Sequence, residues 1–224
     1  YVNRYRPEDI PFRENVPLKG NLHYGEFDYK LYTIWDYFWR IVIQKQPELE
    51  SDRLDGHWDI RRLTACYYGA ITCVDTVIGR MLDALNRMGI LDDMLIVFTA
   101  DHGDQMGSHG LVHKDQLYEE SIRIPLIFHW KKELQRRQIT DQVSCLVDLM
   151  PTILGLCGID CPSSVQGQSL VPVMKGECTA LERNAAFIET SRQIGIRTPE
   201  RLLGLSYDYT DRQILDDSLW HFDL

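Results

Sequence analysis

Apolar residues recur at three-and-four spacing from about Arg61 to Met88, with Tyr67, Ala70, Ile71, Val74, Val77, Ile78, Met81, Leu82 and Leu85 on one face. That period predicts a long amphipathic helix, and Gly89 is its natural C-cap. Asp92-Asp93 then turns into Met94-Leu95-Ile96-Val97-Phe98-Thr99, a short apolar run enriched in β-branched residues that reads as a strand buried on both faces. A second such run spans Ile124 to Trp130, and its Pro125 belongs near the strand's start or at an edge. Val143 to Leu156 predicts a helix interrupted by Pro151, and Ala185 to Glu189 a further strand. The tail offers two more strands, Leu202 to Tyr207 and Ser218 to Leu224. The polar Asp208 to Arg212 turn between them suggests an antiparallel hairpin appended to the main sheet. Ahead of all this, Phe27 to Gln46 reads as an aromatic-rich helix ended by Pro47, and the proline-bearing residues 1–26 as an extended approach segment that does not pack.

Strands alternating with helices over 224 residues fit one sizeable α/β or α+β unit with a small appendage. With 44% hydrophobic and 25% charged residues the chain is ordinary globular material. Twenty-four Lys and Arg against 33 Asp and Glu leave a net charge of −9, which excludes a nucleic-acid scaffold and disfavours docking on anionic membranes. The apolar runs are strand-length, so a soluble protein is expected. Six scattered cysteines show no zinc-knuckle spacing and leave room for one bridge, Cys157 to Cys161. The chain opens at Tyr1 with neither an initiator Met nor an apolar signal stretch, so compartment is weakly set, with the cytoplasm favoured.

The chemistry concentrates after Thr99. Residues 100–115 carry three glycines, three histidines, three aspartates and Lys114, and they follow a buried strand directly. Ligand sites in α/β sheets gather at such strand ends because rigid strands hold converging loops. Asp101 and His102 side by side can ligate one metal ion, with Gly103 allowing close backbone approach. Lys114 can place a fixed positive charge beside the same ion. An Asp-His-Gly tripeptide is by itself more often plain loop than ligand.

The ordered blocks Tyr67 to Leu85, Leu95 to Gly103, Gly110, Lys114 and Tyr118-Glu119-Glu120-Ser121-Ile122-Arg123-Ile124-Pro125-Leu126 resemble the sulfatases of the alkaline-phosphatase-like superfamily. Val147 to Leu154, Gln166 to Leu170, Ile196-Arg197-Thr198 and Leu219 to Leu224 continue the likeness in family order. The resemblance implies an alkaline-phosphatase-like mixed sheet flanked by helices, with a small C-terminal antiparallel β appendage. It divides the chain into a lead-in at 1–26, an α/β core portion at 27–180 and C-terminal strands at 181–224. It further implies that Asp101 and His102 ligate a divalent cation, usually calcium, and that Lys114 contacts the sulfate oxygens of a sulfated small molecule or sugar. His113 would assist the leaving group and His109 shape a substrate subsite, though solvated loop histidines are commoner. Arg123 would anchor the loop by ion pairing and Asp75 brace helix to loop, both structurally.

The family's C/S-x-P-x-R motif, whose Cys or Ser becomes the formylglycine nucleophile, has no counterpart here. Cys161-Pro162-Ser163-Ser164 has its proline one place early and no arginine, and Arg197 stands where Thr198-Pro199-Glu200-Arg201 would need the nucleophile. The expectation is therefore the later part of a longer enzyme, inert alone because it lacks a nucleophile, with the apolar strand Leu95 to Phe98 short of neighbours. Two rival readings stand beside it: a phosphonate or phosphate ester hydrolase of the same superfamily, and a non-catalytic truncated module. Neither nucleic acid nor membrane is an expected partner, and oligomeric state stays open.

Overall fold

The computed structural model describes residues 1, 3–16, 23–24, 53–54, 57–58, 60–134, 141–207, 214 and 219–223. The aromatic-rich helix expected over 27–46 and the Asp208 to Arg212 turn lie outside these residues. In chain order the elements are β1 (His23–Tyr24), β2 (Arg53–Leu54), β3 (His57–Trp58), α1 (Ile60–Arg87), β4 (Ile96–Thr99), β5 (Leu111–Val112), α2 (Glu119–Ile122), β6 (Leu126–His129), α3 (Leu149–Leu156), α4 (Val171–Met174), β7 (Ala186–Glu189), β8 (Gln193–Arg197), β9 (Arg201–Ser206) and β10 (Trp220–Asp223). They fall into two compact units, residues 1–91 with 102–114, and residues 92–101 with 115–224. Among the described residues no helix is long and apolar enough to cross a membrane.

The first unit is organised by α1, which begins and ends within a residue of its expected bounds. Gly89 terminates it at φ 72°, with its N–H on Asn86 O at 3.0 Å and the Ile90 N–H on Leu85 O at 3.2 Å. Only glycine adopts that left-handed turn without strain. The buried side of α1 is its first three turns, Ile60, Thr64, Ala65 and Gly69. Ile71, Val74, Val77 and Met81 are exposed, Met81 at 60%, so the apolar stripe of the sequence does not face a core here. Residues 3–16 pack, contrary to the extended reading: Val16 and Ile60 form a buried cluster with Phe12 and Leu63, and the Arg61 guanidinium lies 4.4 Å over the Phe12 ring. Gly107 closes on that cluster, since a Cβ there would meet Ile60 Cγ1 at 2.8 Å.

In the second unit β4 and β6 form an antiparallel ribbon with Ile96 opposite His129 and Thr99 opposite Leu126. Pro125 immediately precedes β6, where its missing N–H breaks no ladder. Lys131 to Asp92 at 2.6 Å and Lys132 to Asp93 tie the ribbon's far end. Phe98 and Ile127 are register partners and both exposed, so β4 is not buried on both faces: its one strand neighbour among the described residues is β6.

Four antiparallel strands in the order β10-β9-β8-β7 make a separate sheet, so the tail strands join β7 and β8 and not the β4–β6 ribbon. One face of this sheet holds the fully buried Leu117 against Gly195 and Gly204, where a Cβ at 204 would overlap Leu117 Cδ1. The opposite face carries Phe187, Ile196 and Leu203 in one cross-strand row, all exposed. Pro151 does not interrupt a helix. The helix starts at Leu149, after a 3₁₀ turn at Leu146–Asp148, and Pro151 sits in its first turn, where the backbone N–H has no intrahelical partner. Below it Asp148, 1% exposed, accepts from Cys145 N at 3.0 Å, Gln168 N at 2.8 Å and the Arg183 guanidinium. All six cysteines are free thiols; the Cys161 sulfur turns to the Pro162 carbonyl at 3.8 Å and the Cys157–Cys161 bridge does not form.

Candidate functional site

The loop at 102–114 belongs to the first unit and is folded on itself by backbone bonds. Gln105 N donates to His113 O at 2.7 Å, Gly107 N to Leu111 O at 2.8 Å, and Ser108 N to Gln105 O at 2.8 Å. Asp104 adds a side-chain turn, its Oδ1 accepting from Met106 N at 2.9 Å. Residues 3–16 hold the loop from outside: His109 N donates to Asn15 O at 2.9 Å and Arg13 to Ser108 Oγ at 3.0 Å. The parallel pairing of β1 with β5 extends the same support.

So tight a path forces left-handed backbone on residues other than glycine. Met106, His109 and His113 have φ of 45°, 58° and 68°. Each such residue costs on the order of 1 kcal/mol, strain that persists only where the surroundings impose it and that clusters at functional sites. Gln105 is fully buried, and among the described residues neither its amide nitrogen nor its amide oxygen has a hydrogen-bond partner.

Of the residues singled out in the sequence, the structure brings His102 and Lys114 into direct contact. His102 Nδ1 lies 2.7 Å from Gly103 O, and a carbonyl can only accept, so Nδ1 carries the proton. Nε2 is then the acceptor, and Lys114 Nζ donates to it at 2.6 Å. His113 shares the loop with them, half-buried. Burial pushes its imidazole below the usual histidine value, Lys114 pushes the same way, and the Asp104 carboxylate opposes both. His109 turns elsewhere, its Nε2 3.3 Å from Asn15 Nδ2. Asp101 lies exposed two residues beyond β4, in the second unit.

The two bracing residues behave differently from expectation. Asp75 is exposed on α1, with no hydrogen bond to the loop among the described residues. Arg123 reaches Glu119 only at 3.9 Å and is largely exposed, a geometry that contributes little. The partner Glu119 takes is Arg197, at 2.8 Å and half-buried. Sequence reading also passed over Asp104 and Asp115. Asp115, at φ 81°, accepts from Ser191 N at 2.9 Å and from the Ser191 hydroxyl, while its own N–H meets Ser121 Oγ at 3.2 Å. An aspartate beside a strained turn was the available signal for both.

The donor chemistry suits a cation in part. A histidine held as the Nδ1–H tautomer by a backbone carbonyl presents the Nε2 lone pair that metal ligation needs. Among the described residues, no group of three or more His, Cys, Asp or Glu side chains is arranged to hold a metal ion. What these residues offer is therefore a partial ligand set beside a cationic anion contact.

The sulfatase family description matches residues 22–159, more than half of the chain. Over 196 residues the chain is 33% identical to the N-acetylglucosamine-6-O-sulfatase of Bacteroides thetaiotaomicron, a match covering 81% of this chain and 35% of that protein. A solved structure of a protein in complex with its substrate D-glucosamine-2-N,6-O-disulfate superposes with a TM-score of 0.66 at 32% identity, over 84% of this chain and 39% of the other. The phosphonate monoester hydrolase of Silicibacter pomeroyi follows at TM-score 0.63 and 29% identity, over 73% of this chain and 35% of its own. The chain spans about a third of the length of the curated relatives it matches. The fold is that of the alkaline-phosphatase-like superfamily, and the chain belongs to the sulfatase family.

Proposed function

We propose that these residues supply the cation-holding and anion-contacting part of a metal-dependent sulfate ester hydrolase, the covalent nucleophile lying outside the 224 residues. The single observation that carries this reading is the pairing of His102, in the tautomer a metal requires, with the Lys114 ammonium on a strained, tightly bonded loop. Sulfatases generally use a metal ion and a formylglycine nucleophile. Here Asp101 and His102 would hold the ion, with calcium the choice for a carboxylate-bearing site, and the ion would supply charge stabilisation at the ester. Two protein ligands are few for a cation that takes six to eight, so affinity in this chain alone should be poor.

Lys114 would donate N–H bonds to the anionic oxygens as negative charge moves to the leaving group. His113, with its lowered proton affinity, is a stronger but scarcer acid when protonated, and would serve the leaving oxygen on those terms. His109, exposed on the loop's outer turn, would contact the sugar. The named relatives support a sulfated amino sugar as substrate class. Without a C/S-x-P-x-R motif these residues should be inert by themselves, because metal and lysine cannot replace a group that attacks sulfur.

The likeness to a phosphonate monoester hydrolase favours a second reading, a phosphonate or phosphate ester as substrate. One experiment separates the two: release of sulfate from glucosamine 6-sulfate and of alcohol from a phosphonate monoester, measured on the longest natural polypeptide containing these residues. Faster sulfate release is expected, and Lys114→Ala should lower it roughly 10²-fold, the scale of losing one preorganised donor. Sulfate release equal in the variant would remove Lys114 from the site, and faster phosphonate cleavage would establish the second reading.

A further inference from the structure

The residue that follows Lys114 is strained. Asp115 has φ 81°, left-handed backbone that side chains other than those of asparagine and aspartate seldom adopt. Hydrogen bonds keep it there. Its carboxylate accepts from Ser191 N at 2.9 Å and from the Ser191 hydroxyl, and its own N–H donates to Ser121 Oγ at 3.2 Å. That N–H shares one planar peptide group with the Lys114 carbonyl, so the bond to the buried Ser121 orients the plane in which the Lys114 Cα lies. Both anchors are themselves held. Ser121 is in α2, and Ser191 is in the turn between β7 and β8. That turn is closed by Thr190 N on Gln193 O at 2.8 Å, Gln193 N on Thr190 Oγ1 at 2.9 Å and the Tyr207 hydroxyl on Thr190 O at 2.7 Å. Two residues past Asp115, the fully buried Leu117 seats the chain against Gly195 and Gly204 of the same sheet.

A lysine carries its charge on a flexible four-carbon stem, so the part of it a fold can hold in advance is its root at Cα. On the function proposed above, on which this inference rests, the Lys114 ammonium meets the anionic oxygens of the ester, where a donor is worth most when preorganised. We propose that Asp115 is a positioning residue for Lys114: its carboxylate on Ser191 and its N–H on Ser121 fix the lysine's root where the ammonium serves the ester. The position needs a short side chain that tolerates left-handed backbone and accepts hydrogen bonds. Asp115 acts on the substrate through its neighbour alone.

The test is sulfate release from glucosamine 6-sulfate by the longest natural polypeptide containing these residues, in a double-mutant cycle of Asp115 and Lys114. Asp115→Ala loses the acceptor and disfavours the left-handed backbone. It should lower kcat about tenfold, a share of the roughly 10²-fold expected of Lys114→Ala. Asp115→Asn keeps both properties and should recover most of that loss. With Lys114→Ala already in place, Asp115→Ala should cost nothing further. If Asp115→Ala does not fold, Asp115→Gly, which keeps the left-handed backbone alone, takes its place in the cycle. A parent-like kcat in Asp115→Ala, no recovery in Asp115→Asn, or a loss that persists in the Lys114→Ala background each overturns the positioning role and leaves Lys114 in the site. Lys114→Ala at the parent rate, or a parent that releases no sulfate, overturns the function beneath and the inference with it.

Discussion

At the scale of single residues, the loop's chemistry rests on proton placement. Burial and Lys114 hold the His113 imidazole below its ordinary 6.5, and the unfolded chain relieves it. Between the folded value and 6.5 the unfolded chain binds more protons, so the contribution of His113 to stability is full above about pH 6.5 and is lost progressively as pH falls from there through the lower folded value. Urea unfolding of the chain at several pH values should show this fall, and His113→Gln should flatten it. The residue types in the loop were legible in the sequence, as was their concentration behind one strand. Their partners were not, because Gly103 O, Asn15 and Gln105 enter through backbone path, and backbone path is set by left-handed residues that no local preference announces. Nothing in the sequence announces that His109 bonds Asn15 or that Asp104 opposes the forces on His113.

At the scale of elements, periodicity placed α1, β4, β6, β7, β9 and β10 within two residues of their bounds, because each is bracketed by glycine, proline or a polar turn. It missed β8, whose Gly195 interrupts the alternation. That glycine is explained only by its tertiary neighbour: Leu117 Cδ1 would lie 3.0 Å from a Cβ at 195. The segment at 115–119 is seated on the sheet by Leu117, by Leu117 N on Gln193 Oε1 at 3.0 Å and by the Glu119–Arg197 pair. Gly204→Ala should therefore destabilise the chain by about 1–3 kcal/mol through overpacking, read as a lower denaturant midpoint. Gly79→Ala, in open space on α1, should stabilise slightly, since alanine costs less backbone entropy in a helix. A midpoint for Gly204→Ala equal to that of the parent would show that Leu117 has room to move.

At the scale of the whole molecule, the sheet of the second unit is a two-faced object. One side is filled by Leu117, and the other bears Phe187, Ile196 and Leu203 in register across three strands. Phe187, 64% exposed, heads that row on β7, whose one strand partner among the described residues is β8. A line of apolar side chains on a rigid, twisted plane behaves as a surfactant does: at an air–water boundary or on a phenyl-bearing resin it lowers interfacial tension by lying face down. The chain should be retained on such a resin at moderate salt, and Phe187→Glu should elute distinctly earlier. Handling losses on plastic and at bubbles would follow from the same three side chains, and a trace of nonionic detergent would prevent them by occupying the interface first.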